Sequence, residues 1–145
     1  MTIRRALLAV AVALGVAFGL LAHSLGSSAA PRPALPALHG QESWAPGARP
    51  APALPALRAL RGRTAVLTLA APHCPGCDQL RAELASIVRR LPAAERPALV
   101  FARGPRTPVV YLVDRRGDER TGYLFPFAPA FVEGDLRVLA AEPLP

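Results

Sequence analysis

Lysine is missing from this sequence. All 17 basic residues are arginine, set against 10 acidic ones for a formal net charge of +7. A charge of that sign invites a nucleic-acid reading. The arginines, however, are scattered, they accompany an abundance of Ala, Pro, Leu and Gly that marks a coding bias, and no RNA- or DNA-binding motif goes with them. Nucleic acid is therefore not an expected partner. Cysteine is nearly as scarce. The two present, Cys74 and Cys77, lie in one motif, so no separate structural disulfide can be built, and the pair serves chemistry, metal binding or nothing. No Ser-His-Asp arrangement, phosphate-cradling loop or paired-carboxylate motif stands out, which leaves hydrolytic and phosphoryl-transfer chemistry without candidates.

Charge is also absent between Arg5 and Arg32, and Ala6 to Ala22 is an uninterrupted apolar run. A signal-peptide core usually has about 7–15 residues and a spanning helix about 17–25; this run sits on the boundary. Ser27-Ser28-Ala29 or Ser28-Ala29-Ala30 offers a small-residue cleavage site, with Pro31 hindering the second. Arg4 and Arg5 favour a cytoplasmic N-terminus. The expectation for residues 1–30 is a signal peptide or, by preference, an uncleaved anchor crossing the membrane through residues 6–22, with the rest of the chain exported to the periplasm or another extracytoplasmic space. Residues 31–56 read as a Pro/Ala-rich linker. Pro-Ala-Leu-Pro-Ala-Leu occurs at 33–38 and again at 52–57, and prolines at this density favour an extended, semi-rigid spacer. Trp44 within it either packs back onto the domain or meets a partner.

The folded domain is expected over 57–145. Ala65 to Ala70 is almost wholly apolar, as in a strand covered on both faces. Leu80, Leu84, Ile87, Val88 and Leu91 follow helical spacing, with Arg81, Glu83, Arg89 and Arg90 off that stripe. Pro92 ends the helix, and Ala98 to Ala102 reads as a second buried strand. Strand, helix, strand predicts a parallel βαβ unit, with the cysteines at the carboxyl end of its first strand, where α/β sheets place their sites. A thiol in the first turn of a helix meets unpaired backbone N–H groups and the positive end of the dipole, and both favour the thiolate. Cys74, first at the helix start, is thus the expected attacker and Cys77 the resolving thiol, with Pro75 and Gly76 permitting the tight turn. A protonated His73 beside Cys74 would favour its thiolate; Asp78 favours the helix start but opposes a nearby thiolate.

Leu57-Arg58-Ala59-Leu60-Arg61-Gly62-Arg63-Thr64-Ala65-Val66-Leu67, running into Ala71-Pro72-His73-Cys74-Pro75-Gly76-Cys77, resembles the membrane-tethered TlpA-like members of the thioredoxin-like superfamily. These typically show a Leu-x-Gly-x-x-x-Val-Leu lead-in and a Cys-Pro-x-Cys motif. The resemblance covers about residues 57–140. It implies a thioredoxin-like α/β fold, a central mixed sheet flanked by helices, with a cis-proline that faces the cysteines and opens a strand. Two positions compete. Pro108 opens a Thr-Pro-strand-Asp-x-x-Gly hairpin over 107–117, and Pro129 opens a strand-turn-strand over 128–139 with its bend at Gly134-Asp135. Because Pro126, Pro129 and Gly134 oppose a closing helix, Pro129 is preferred. Tyr111–Asp114 then becomes an extra strand, and the closing helix is absent or a stub. His73 stands where such proteins commonly carry an aromatic, and Thr68 where they often bury a carboxylate that shuttles the resolving thiol's proton.

The function implied is an extracytoplasmic thiol–disulfide oxidoreductase. It would exchange electrons with exported protein thiols and disulfides, with a membrane electron donor behind it, reduction favoured over oxidation, and no cofactor beyond the Cys74–Cys77 disulfide. Two rivals stand beside it: a copper(I) chaperone using His73, Cys74 and Cys77 as soft or borderline ligands, and a non-catalytic thioredoxin-like scaffold or assembly protein.

Overall fold

A computed structural model of the chain describes residues 37–143. The expected anchor, its cleavage site and the start of the linker lie outside the described residues. The elements in chain order are β1 (Glu42–Ser43), α1 (Pro55–Arg58), β2 (Ala65–Ala70), α2 (Cys77–Arg90), β3 (Ala98–Arg103), β4 (Val109–Val113), β5 (Glu119–Leu124) and α3 (Pro129–Ala141). The strands form one five-stranded sheet in the order β1-β5-β4-β2-β3. β2 and β3 run parallel, and every other pair is antiparallel. This mixed sheet with helices is the α/β arrangement that the thioredoxin-like resemblance implies.

β2 lies between two apolar layers, which is why it reads as a continuous apolar run. On one face Val66, Val110, Leu112 and Tyr123 meet Leu80, Leu84 and Ile87 of α2 and Val132, Leu136 and Leu139 of α3. On the other face Ala65, Leu67, Val100 and Val113 are covered by Ala51, Leu54, Leu57 and Leu60. Fully burying one such aliphatic side chain stabilises the fold by about 1.5–3 kcal/mol.

Two expectations are corrected. Residues 128–139 are not a strand-turn-strand; from Pro129 onward they lie within α3. Pro129 occupies the first position of that helix, where the missing N–H costs nothing and the fixed φ suits the backbone. Gly134 costs about 1 kcal/mol against alanine. Burial of Val132, Leu136 and Leu139 on one side of the helix outweighs that cost.

The second concerns the stretch read as a spacer. From residue 37 it is laid against the domain. Gln41 N–H donates to Gly122 O at 2.9 Å, Trp44 N–H to Arg120 O at 2.8 Å and Ala51 N–H to Gly117 O at 2.9 Å. Trp44 packs back, its ring centroid 6.2 Å from that of Tyr111. Arg49 sits over the Trp44 ring at 4.2 Å and pairs with the buried Glu119 at 2.6 Å. Proline at this density permits an edge strand and turns here, and Pro55 opens the short helix α1, a position where its missing N–H costs nothing.

Candidate active site

Cys74 and Cys77 are joined as a disulfide with their Cα atoms 5.5 Å apart. They sit just beyond the carboxyl end of β2, as the βαβ reading requires. The turn that carries them is tied down by backbone bonds. Ala71 N–H donates to Pro105 O at 2.7 Å, Cys74 N–H to Ala71 O at 3.3 Å and Cys77 N–H to Cys74 O at 3.2 Å. His73 and Gly76 both take positive φ, 60° and 80°. Glycine adopts that conformation freely, whereas a histidine there is uncommon.

The helix opens later than expected. Gly76, in the left-handed conformation, is the residue before α2, and Cys77 is the first helical residue. Cys77, not Cys74, therefore sits at the positive end of the dipole. Exposure differs in the same sense: Cys74 is only 8 % exposed, while Cys77 is partly exposed. Pro75 is exposed in the turn, as is His73.

Neither candidate cis-proline follows a cis bond. The cis peptide among the described residues is Phe125–Pro126, in the tight connection between β5 and α3, a setting typical of cis-proline. Pro129 instead begins α3. Pro108 leads into β4 and its carbonyl accepts a hydrogen bond from Phe125 N–H at 3.3 Å. Phe125 in turn places its ring against Gly76, so the Phe125–Pro126 loop, missed in the sequence, adjoins the cysteine turn. The signal available for it was a proline closely following the Tyr123 strand.

Beside the disulfide opens a groove of about 490 Å³, whose lining includes Thr68, His73, Cys74, Cys77, Arg81, Phe101 and Arg103. Thr68 is 1 % exposed and its hydroxyl has no hydrogen-bond partner among the described residues. Asp78 is the acidic residue on the lining, 4.0 Å from Arg81, and the Arg81 guanidinium lies 5.2 Å from the Phe101 ring centroid. No local pattern signals that Arg81, Phe101 and Arg103 meet, because that depends on β3 lying at the border of the sheet beside the start of α2.

Among the described residues no three His, Cys, Asp or Glu side chains form a metal-binding group. The sulfurs of the copper set His73, Cys74 and Cys77 are bonded to each other and in this state present no thiolate. His39 is engaged elsewhere, its Nδ1 2.7 Å from Asp135. A cysteine pair closed as a disulfide, one sulfur at a helix start and both lining an open groove, is chemically competent for thiol–disulfide exchange.

No family model matches the chain, and no curated protein matches it in sequence. Its structure is similar to a crystal structure of a thioredoxin-like superfamily protein, with 16 % sequence identity and a TM-score of 0.49, over 77 % of this chain and 98 % of that one. That likeness says nothing of activity.

Proposed function

We propose that this protein is a thiol–disulfide oxidoreductase acting through Cys74 and Cys77 on exported protein substrates, held at the outer side of the cytoplasmic membrane by residues 6–22. The observation that carries the redox reading is the Cys74–Cys77 disulfide at the carboxyl end of β2, opening α2 beside a groove. The location rests on the sequence, on Arg4, Arg5 and the Ala6–Ala22 run; no helix among the described residues is long and apolar enough to cross a membrane.

In the reducing direction, which the TlpA-like resemblance favours, the reduced pair meets a substrate disulfide. One cysteine thiolate attacks a substrate sulfur, forming a mixed disulfide, and the other substrate sulfur leaves as a thiolate and takes a proton. The second cysteine then attacks its neighbour's sulfur in the mixed disulfide. This closes Cys74–Cys77 and releases the second substrate thiol. Two electrons and two protons pass to the substrate, and a membrane dithiol donor restores the reduced pair. Thr68 offers no carboxylate for the resolving proton, which therefore passes to water or to another group.

The sequence reading makes Cys74 the attacker, as the first of the two cysteines at the expected helix start. A second order of attack has its own support: Cys77 is the more exposed sulfur-bearing residue and the one at the helix start. The two readings exchange trapping phenotypes. If Cys74 attacks, Cys77→Ser accumulates mixed disulfides with substrate proteins; if Cys77 attacks, Cys74→Ser does. The deciding measurement for the function itself is the reduction potential of the pair in the full-length chain, equilibrated in dithiothreitol or glutathione buffers. A reversible two-electron transition near the roughly −270 mV of thioredoxin supports a reductase, and one near about −120 mV an oxidant. Absence of any reversible transition overturns the redox reading.

A further inference from the structure

We propose that the outer edge of β3 and the groove beside it form a docking site for an extended, acidic segment of a protein partner, laid down as an added strand next to Cys74–Cys77. What the docking serves rests on the redox reading; the docking itself does not.

Among the described residues β3 is the last strand of the sheet, paired to β2 alone. Ala98 N–H donates to Thr64 O at 3.0 Å and Gly104 N–H to Ala70 O at 2.8 Å. In a parallel ladder these two bonds set the alternation, so even-numbered residues face β2. Leu99, Phe101 and Arg103 therefore turn their N–H and C=O groups outward, and among the described residues no strand meets them. Natural sheets usually blunt such an edge or use it. Here it carries Phe101, 42 % exposed, a large apolar side chain at an open border. Strand addition supplies backbone partners for the three outward residues and covers that ring.

The chemistry of the occupant follows from charge. Arg81 and Arg103 line the groove, and Arg106 is exposed in the loop that follows β3. Arg103 has no acidic partner among the described residues, and Asp78 offsets Arg81 alone. An apolar residue against Phe101 with carboxylates toward Arg81 and Arg103 complements this lining. Deeper in, the buried Thr68 hydroxyl stands without a partner, a donor and acceptor for a polar group of the guest. A small anionic thiol would use the arginines but leave the strand edge unpaired, so the extended polypeptide is the occupant that uses both features.

The test uses the full-length chain in its disulfide form and a labelled, cysteine-free peptide alternating Glu with apolar residues, read by fluorescence anisotropy. The expected result is binding about tenfold tighter than for the same peptide with Gln in place of Glu, the size of one or two arginine–carboxylate contacts. Methylating alternate backbone nitrogens of the peptide removes at least as much affinity. Arg103→Glu erases the preference for acid while the circular dichroism spectrum stays unchanged. Equal affinity for the Glu and Gln peptides overturns the proposal. So does indifference to N-methylation, and if glutathione then competes with the acidic peptide the occupant is a small anionic thiol. A dimer that excludes the peptide overturns it in favour of a second copy of the chain. Because the peptide has no cysteine, binding without any exchange activity sinks the redox reading and leaves the docking site standing, and exchange without acid preference does the reverse.

Discussion

The ring of Phe125 stands 3.3 Å from where a β-carbon on Gly76 would lie, and Gly76 holds a φ of +80°. Two costs therefore meet at one position: backbone strain for any L-residue, and a contact against a ring. Gly76→Ala is expected to destabilise the protein by about 1–2 kcal/mol from the left-handed backbone alone, with a further steric part. Phe125→Ala in the same chain should return the steric part and leave the backbone part, a coupling that a double-mutant cycle in urea reads directly. An unchanged urea midpoint for Gly76→Ala would mean that the cysteine turn does not have this geometry.

Asp135 is fully buried. It accepts from the Tyr123 hydroxyl and from His39 N–H at 2.8 Å, with His39 Nδ1 2.7 Å away. Asp135→Ala is expected to cost about 3 kcal/mol, since it strands a buried phenol, and to release amide protection at His39. Burial first, then the bond to Asp135 and its charge, push the Tyr123 phenol far above its ordinary value of 10. A raised folded-state value means stability that is complete below about pH 10 and is lost as pH climbs toward the folded value. Tyr123→Phe should therefore be less stable than the parent at pH 8, with the gap closing above pH 10. A gap that widens with pH would refute this.

Arg120 is 2 % exposed and donates to Asp114 at 3.2 Å, to Glu142 at 2.8 Å and to the Trp44 carbonyl at 3.2 Å. Arg120→Met is expected to cost about 3–5 kcal/mol, because Asp114 is left buried without its cation. Asp114→Asn added to it should recover part of that loss. If thermal unfolding of the single variant matches the parent, the ion cluster contributes nothing.

Trp44 is the single tryptophan of the chain, and it reports on the segment around β1. Its fluorescence transition in denaturant should coincide with the far-ultraviolet dichroism of the whole domain, as one cooperative unit requires. An earlier fluorescence transition would show that this segment peels away before the sheet melts.

What the sequence disclosed followed from signals that are local. β2 and β3 were legible as apolar runs, α2 as a stripe ended by Pro92, and β4 with the turn after it from the strand-Asp-x-x-Gly pattern ending at Gly117, whereas β5 was not read; in that turn Asp114 Oδ1 accepts the N–H of Arg116, Gly117 and Asp118 at 2.9, 3.1 and 3.0 Å. α3 was hidden because Pro129 and Gly134 read as breakers, although Val132, Asp135, Leu136 and Leu139 already had helical spacing. The Phe125–Pro126 cis bond was hidden because three prolines compete nearby and only the path of the chain around the cysteine turn separates them. His39, Trp44 and Arg49 looked like spacer because their partners Asp135, Tyr111 and Glu119 are remote in sequence. At the site itself the cysteine pair was plain, but the start of α2 at Cys77 depended on the left-handed Gly76, which spacing does not reveal.

The two borders of the sheet are unequal. One ends in β1, two residues long and succeeded by Pro46 and Pro50; the other is the six-residue β3. Backbone-mediated growth needs two usable borders per molecule, one to receive and one to pass on. Among the described residues the sheet offers one long enough. Association through it therefore terminates at a pair and does not propagate into a fibre, so an aromatic can stay exposed at the working border without inviting aggregation.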